Sequence, residues 1–279
     1  VSHDWRFVVK KNAVRMRCCL LAVALAVVAG PALAQSTYVQ VDYMKVAPGK
    51  DQAYVDLERN VWKPYHQALV DAGRRAGWEL YAVRFPAGSE VDYNYATANV
   101  FGKFTDMETP FDADVLARVR PGKDLATLAS EAQAARDLVR SEAWQLLDEV
   151  PAGGPAKLSR YIRVSYMKVP AGGEDAYIAL ERQMWKPIHA QRVADGHAAG
   201  WALYALRFPS GAGLDYNFAT VESYDQFGQL ENPITLEMFK RVHPNADPAT
   251  LAAMADRTTA VRELVRSELW ERLDSTNPK

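Results

Sequence analysis

The sequence predicts an α+β fold in which two βαββαβ units of one chain close on each other as a barrel-like sandwich. Two observations carry this. First, the chain repeats itself: Tyr43-Met44-Lys45 returns as Tyr166-Met167-Lys168, and Trp62-Lys63-Pro64 as Trp185-Lys186-Pro187, each displaced by 123 positions. The displacement holds without a gap through Asp92-Tyr93-Asn94 and Asp215-Tyr216-Asn217, and it has grown to 126 at Arg140-Ser141-Glu142 and Arg266-Ser267-Glu268. Second, within each copy the hydrophobic period switches from two to about 3.6 and back, in the order strand, helix, strand, strand, helix, strand. A duplicated unit of this kind packs with its twin about a pseudo-twofold axis.

The elements follow in order. Val39, Val41 and Tyr43 alternate with Gln40, Asp42 and Met44 in a half-buried strand, and Ile162, Val164 and Tyr166 repeat it. After turns at Pro48-Gly49 and Gly172-Gly173, residues Tyr54, Leu57, Val61 and Leu69 mark an amphipathic helix that ends near Gly73, with its copy ending near Gly196. Pro64 and Pro187 fall inside these helices, so each helix kinks or starts anew there. Runs at 78–85 and 93–101 read as an antiparallel hairpin. Helices are expected at about 111–118 and 124–140. The segment around Trp144, Leu146 and Leu147 reads equally as a last strand or as more helix. The expected organisation is a signal segment at 1–34, a first repeat at 35–150, a linker at 151–160 and a second repeat at 161–279.

Residues 1–34 combine Lys10, Lys11, Arg15 and Arg17 with an apolar run and a closing Ala32-Leu33-Ala34, the pattern of a cleaved secretory signal. The expected location is therefore periplasmic or secreted, with no membrane association after cleavage. Cys18 and Cys19 lie inside that segment, so the remainder has no thiol for a disulfide, a nucleophile or a metal. Without 1–34 the chain carries 28 basic and 33 acidic side chains, interspersed, which argues against nucleic acid as a partner.

The order βαββαβ is that of ferredoxin-like domains, and a sheet covered by helices on one face needs a second sheet on the other. On these elements the chain resembles the dimeric α+β barrel superfamily, fused here in tandem. The resemblance implies clefts between helices and sheet as sites, and a range of activities: cofactor-independent oxygenases, lactone isomerases, heme enzymes and stress-response proteins.

The residue pattern offers candidates of its own. Glu58, Trp62 and His66 are spaced i, i+4, i+8 on one helix face, and Glu181, Trp185 and His189 repeat them. A half-buried imidazole near a carboxylate suits a general base, so His66 and His189, with Glu58 and Glu181, are the candidate catalytic residues. The same residues also make sense as packing that satisfies its own polar groups. Arg84 and Arg207 end apolar strand faces and could hold a ligand carboxylate, or that of Asp92 and Asp215. With Trp62, Trp185, Tyr43, Tyr166, Asn94 and Asn217 they form the candidate ligand-binding set. No histidine pair has metal-ligand spacing, so no metal site is expected. The cofactor and the oligomeric state are left open, with heme on His66 or His189 a lesser alternative implied by the resemblance. The sequence thus points to an exported binder of a small, largely apolar molecule, acting as a cofactor-independent oxygenase or isomerase, or else to a non-catalytic structural or interaction protein.

Overall fold

The computed structural model describes residues 37–109, 111–151 and 158–277; the expected signal segment and most of the expected linker lie outside them. Each copy builds four strands: β1 Tyr38–Lys45, β2 Gly77–Phe85, β3 Tyr95–Phe101 and β4 Asp137–Val150, then β5 Tyr161–Lys168, β6 Gly200–Phe208, β7 Phe218–Tyr224 and β8 Glu263–Ser275. All pairings are antiparallel, and the order β1-β3-β2-β8-β5-β7-β6-β4 closes on itself as an eight-stranded barrel. Neither half closes alone. β2 pairs with β8 and β4 with β6, so the two seams of the barrel both join one repeat to the other.

The segment at 137–150, ambiguous by its spacing, is a 14-residue strand, and the helix before it stops at Ala135 instead of running to 140. β4 and β8 are long because each spans two neighbours, β4 pairing with β1 and β6, and β8 with β5 and β2.

Outside the barrel, α1 Asp51–Leu57 runs through a π-helical turn, Glu58–Trp62, into α2 Lys63–Asp71. Pro64 sits in the first turn of α2, where its missing N–H is not needed and the wide turn absorbs its ring. Gly73, at φ +70°, ends the run in the left-handed region. α3 Ala113–Val119 and α4 Leu125–Ala135 complete the first half, each capped by an aspartate, Asp112 and Asp124, that accepts from a backbone N–H three residues on. The second half repeats this as α5 Glu174–Leu180, a π turn at Glu181–Trp185, α6 Lys186–Ala194, α7 Leu236–Val242 and α8 Pro248–Val261. α8 begins 123 positions after α4 and ends 126 after it, so the three extra residues of the second copy lengthen this helix.

Strand alternation divides the core. Trp78 and Leu80 face outward with Met44, Val46, Tyr54 and Tyr95 under the helices, and Trp201 and Leu203 do so with Met167, Val169, Tyr177 and Phe218. Val39, Tyr43, Tyr81 and Trp144 face inward with Ile162, Val164, Tyr166 and Trp270. No described helix is long and apolar enough to cross a membrane.

Candidate functional site

The barrel encloses a cavity of about 410 Å³ lined by residues of all eight strands. It exists because the inward positions of the hairpin strands are short: Ala98 and Val100 on β3, Ala202 on β6, Ala219 and Val221 on β7. Its mouth lies where β1 and β5 begin and β4 and β8 end, at Thr37, Ser159, Val150 and Arg272. A volume of this order suits a small organic ligand.

Aromatic side chains and a buried polar network make the floor. Tyr43 donates from its hydroxyl to Glu142 Oε2 at 2.8 Å and meets the Tyr166 hydroxyl at 3.2 Å. Glu142, only 3% exposed, also accepts from Tyr216 (2.5 Å), Trp144 Nε1 (3.2 Å) and Arg140 Nε (2.9 Å). Across the axis Glu268 accepts from Tyr93 (2.6 Å), Trp270 Nε1 (2.9 Å) and Arg266 Nε (2.8 Å). Arg140 lies over the Tyr43 ring and Arg266 over the Tyr166 ring, at 4.0 and 4.4 Å from the centroids. Both buried carboxylates are thus paired and fully hydrogen-bonded, the condition under which burying them is tolerable. Burial, followed by the nearby Glu142, raises Tyr43 well above the ordinary tyrosine range, so its hydroxyl stays protonated.

Nearer the mouth the two walls differ. On β2 and β8, Glu79 accepts from the Tyr81 hydroxyl and faces Arg272, Nη1 to Oε2, at 3.7 Å. The equivalent positions on β6 and β4 are Ala202 and Leu146. Tyr204, the counterpart of Tyr81, has no described hydrogen-bond partner.

Of the sequence candidates, Tyr43 and Tyr166 line this cavity. The others stand elsewhere. Glu58 is buried against Tyr54 and Arg136, and burial raises its pKa to about 7; Glu181, beside Tyr177 and Arg262, is raised to about 7 for the same reason. Trp62 packs edge-on to Tyr65 and Trp185 to Phe239, on the side of α3 and α7. The π turn, with its extra residue, rotates Trp62 and His66 away from the stack that α-helical spacing predicts. Arg84, half exposed, pairs with Glu271 at 2.8 Å across the β2–β8 seam instead of with Asp92, and Arg207 is exposed. Asn94 clamps β1 to the hairpin, accepting from Val46 N at 2.8 Å and donating to Val46 O at 2.9 Å; Asn217 does the same at Val169.

His66 lies flat on Trp78, ring centroids 5.3 Å apart, with its Nδ1 against Arg75 Nη1. His189 lies flat on Trp201 at 5.2 Å, with Nδ1 3.2 Å from Glu222 Oε1. Burial and then Arg75 push His66 well below the ordinary imidazole range. Burial, Arg192 and Arg163 take His189 to about 3. His189 Nδ1 and Glu222 Oε1 are not aligned as a hydrogen bond, and the other Glu222 oxygen accepts from Arg163 and Tyr224.

No protein-family model matches the sequence, and no curated protein is similar to it. Solved structures are. A "putative monooxygenase" of Fusobacterium nucleatum shares 8% identity over 88% of this chain and 95% of its own, with a TM-score of 0.54. A "putative monooxygenase" of Lactobacillus acidophilus shares 7% over 87% and 96%, with a TM-score of 0.53. A heme-binding protein of Thermus thermophilus matches at 12% identity over 86% and 92%, with a TM-score of 0.42. What they share is the fold. The chain is a ferredoxin-like α+β barrel, closed within itself.

The expected cofactor-independent oxygenase or isomerase with histidine bases is corrected by these findings. The two "putative monooxygenases" match at only 8% and 7% identity, so the likeness is one of fold and does not single out cofactor-free chemistry. The geometry removes the base as well: neutral imidazoles stacked on indoles outside the barrel, one with a pKa of about 3, hold little affinity for a proton and line no part of the cavity.

Heme itself needs an axial donor aimed into a space that admits the macrocycle. Among the described residues the cavity wall holds no histidine, cysteine or methionine; Tyr43, Tyr81 and Tyr166 are engaged with Glu142, Glu79 and Tyr43, and burial keeps the remaining lining tyrosine, Tyr204, a protonated phenol and not the phenolate that would ligate iron. The barrel lumen therefore does not fit heme.

Proposed function

We propose that this protein binds one small, largely apolar molecule in the barrel lumen, on the pseudo-twofold axis, and that it is a tandem member of the dimeric α+β barrel superfamily acting after export. The observation that carries the reading is the cavity of about 410 Å³, walled largely by apolar side chains with a few polar groups at its floor and its mouth. Such a combination is the usual form of a small-molecule site. The signal-like pattern of 1–34 supports export, and the barrel shared with the solved structures supports the superfamily.

Trp144 and Trp270 line the cavity and report on it. Titration of the purified chain with naphthalene should quench tryptophan fluorescence saturably, at one molecule per chain. The Ala98→Phe, Ala202→Phe double variant, which fills the lumen, should abolish this while melting cooperatively. Two molecules per chain, or quenching that survives the filled lumen, would place binding in the two helix–sheet layers and overturn the reading.

A further inference from the structure

The two halves of the lumen are related by the repeat, yet their polar groups are not. Glu79 on β2 corresponds to Ala202 on β6, and Arg272 on β8 to Leu146 on β4. In the closed order, β2 and β8 are adjacent, and β6 and β4 are adjacent on the opposite side. One wall of the mouth thus carries a carboxylate and a guanidinium while the facing wall carries two apolar side chains in their place.

The consequence for the paired tyrosines is specific. Tyr81 donates its hydroxyl proton to Glu79. Tyr204, its counterpart, has an alanine where that acceptor would stand, and its hydroxyl has no described hydrogen-bond partner although its side chain lines the cavity. Burial, with Glu79 and Glu149 nearby, raises Tyr204 so that it remains a donor. Arg272 faces Glu79 at 3.7 Å, beyond hydrogen-bond length, with side chains 12% and 18% exposed. Its N–H groups and the second Glu79 oxygen both keep capacity for a ligand.

We infer that Tyr204, Arg272 and Glu79 form the polar grip of the lumen, and that its occupant carries one neutral head group that both accepts and donates hydrogen bonds, of the carboxamide kind, on an apolar body. This rests on the lumen as the binding site. A carbonyl oxygen on that head accepts from Tyr204 and Arg272, and its N–H or O–H donates to Glu79. A free carboxylate satisfies the two donors but meets Glu79, and Glu149 at the rim, with like charge. A wholly apolar molecule covers the grip and leaves it unpaired. Because Glu79 and Arg272 stand on one wall and have only Ala202 and Leu146 as their counterparts on the other, the ligand binds in one orientation and once per chain.

The test compares naphthalene, 2-naphthamide and 2-naphthoate by tryptophan quenching and calorimetry on the native chain and on Tyr204→Phe, Glu79→Ala and Arg272→Leu. The last two install the residues of the opposite wall, and melting curves confirm that each variant folds. The amide should bind at least about tenfold tighter than naphthalene, and the carboxylate more weakly than the amide. Tyr204→Phe and Arg272→Leu should each narrow the gap between amide and naphthalene severalfold, by weakening the amide and relieving the unpaired donor that naphthalene covers. Glu79→Ala should bring the carboxylate level with the amide. Equal affinities for all three probes, or a gap that no variant narrows, would overturn the grip and leave the lumen site standing. Failure of naphthalene to bind at all would overturn the lumen site and the grip with it.

Discussion

The hydroxyls of Tyr43 and Tyr166, equivalent residues of the two repeats, meet at 3.2 Å at the floor of the barrel. A phenol has one proton, and that of Tyr43 goes to Glu142. Tyr166 is therefore the donor in the pair, and the chain of hydrogen bonds runs one way, from Tyr166 through Tyr43 to Glu142. Two chemically equal residues on a symmetry axis are made unequal by the position of a proton.

This direction makes the two tyrosines differ on substitution. Tyr43→Phe removes a donor from a buried carboxylate and should lower stability by about 1–3 kcal/mol. Tyr166→Phe leaves Glu142 with all four of its donors and should have a smaller effect. Urea denaturation of the two variants gives the comparison; equal losses would contradict the direction of the chain.

Glu58 and Glu181 lead to a pH effect. Each folded pKa is about 7 against 4.5 in the unfolded chain, so the folded state holds protons that the unfolded state releases. Their contribution is complete below about pH 4.5 and is lost as the pH rises through 7. Each ionised group should destabilise the folded chain by on the order of 3 kcal/mol at pH 8. The Glu58→Gln, Glu181→Gln double variant should therefore gain stability over the native chain at pH 8 relative to pH 5. Denaturant midpoints at the two pH values measure it, and parallel changes in both proteins would show the carboxyls to be ordinary.

The histidines act in the opposite sense. Their folded pKa values lie below 6.5, so the unfolded state takes up protons first, and stability falls as the pH drops from about 6.5 toward 3. His189→Phe keeps a ring on Trp201 and removes this titration. Its melting temperature should fall less than that of the native chain between pH 7 and pH 4, while naphthalene binding at pH 7 stays within twofold. A loss of binding would return His189 to the site.

Asn94 and Asn217 each supply two hydrogen bonds that hold the hairpin to β1 or β5. Asn94→Ala or Asn217→Ala should lower stability by about 1–3 kcal/mol without changing probe affinity. Thermal melts together with the naphthalene titration separate the two effects.

The repeat and the alternation at Val39, Val41 and Tyr43 made the strands, their inward faces and the paired sheets legible, because those depend on neighbours in sequence. The length of β4 was not, since 137–150 is held extended by β1 and β6, partners far along the chain. The trio Glu58, Trp62 and His66 was misplaced by a single π turn, which no periodicity reveals. The lumen was hidden for a related reason: Ala98, Ala202 and Ala219 look like unremarkable strand residues until closure sets them across from one another. One signal was present in the letters. Setting the copies against each other at displacements of 123 and 126 exposes Glu79 against Ala202 and Arg272 against Leu146, the charged differences that mark the mouth.

The seam between β2 and β8 also governs how the molecule comes into being. Its partners, such as Glu79 and Ser275, lie almost 200 residues apart, so the first repeat waits with an unmatched strand edge until the second is nearly finished. Contacts so distant in sequence form late and slowly. A nascent chain of this design remains open along one side through most of its synthesis, available to a helper protein or to aggregation, and acquires its interior only when β8 slides into place.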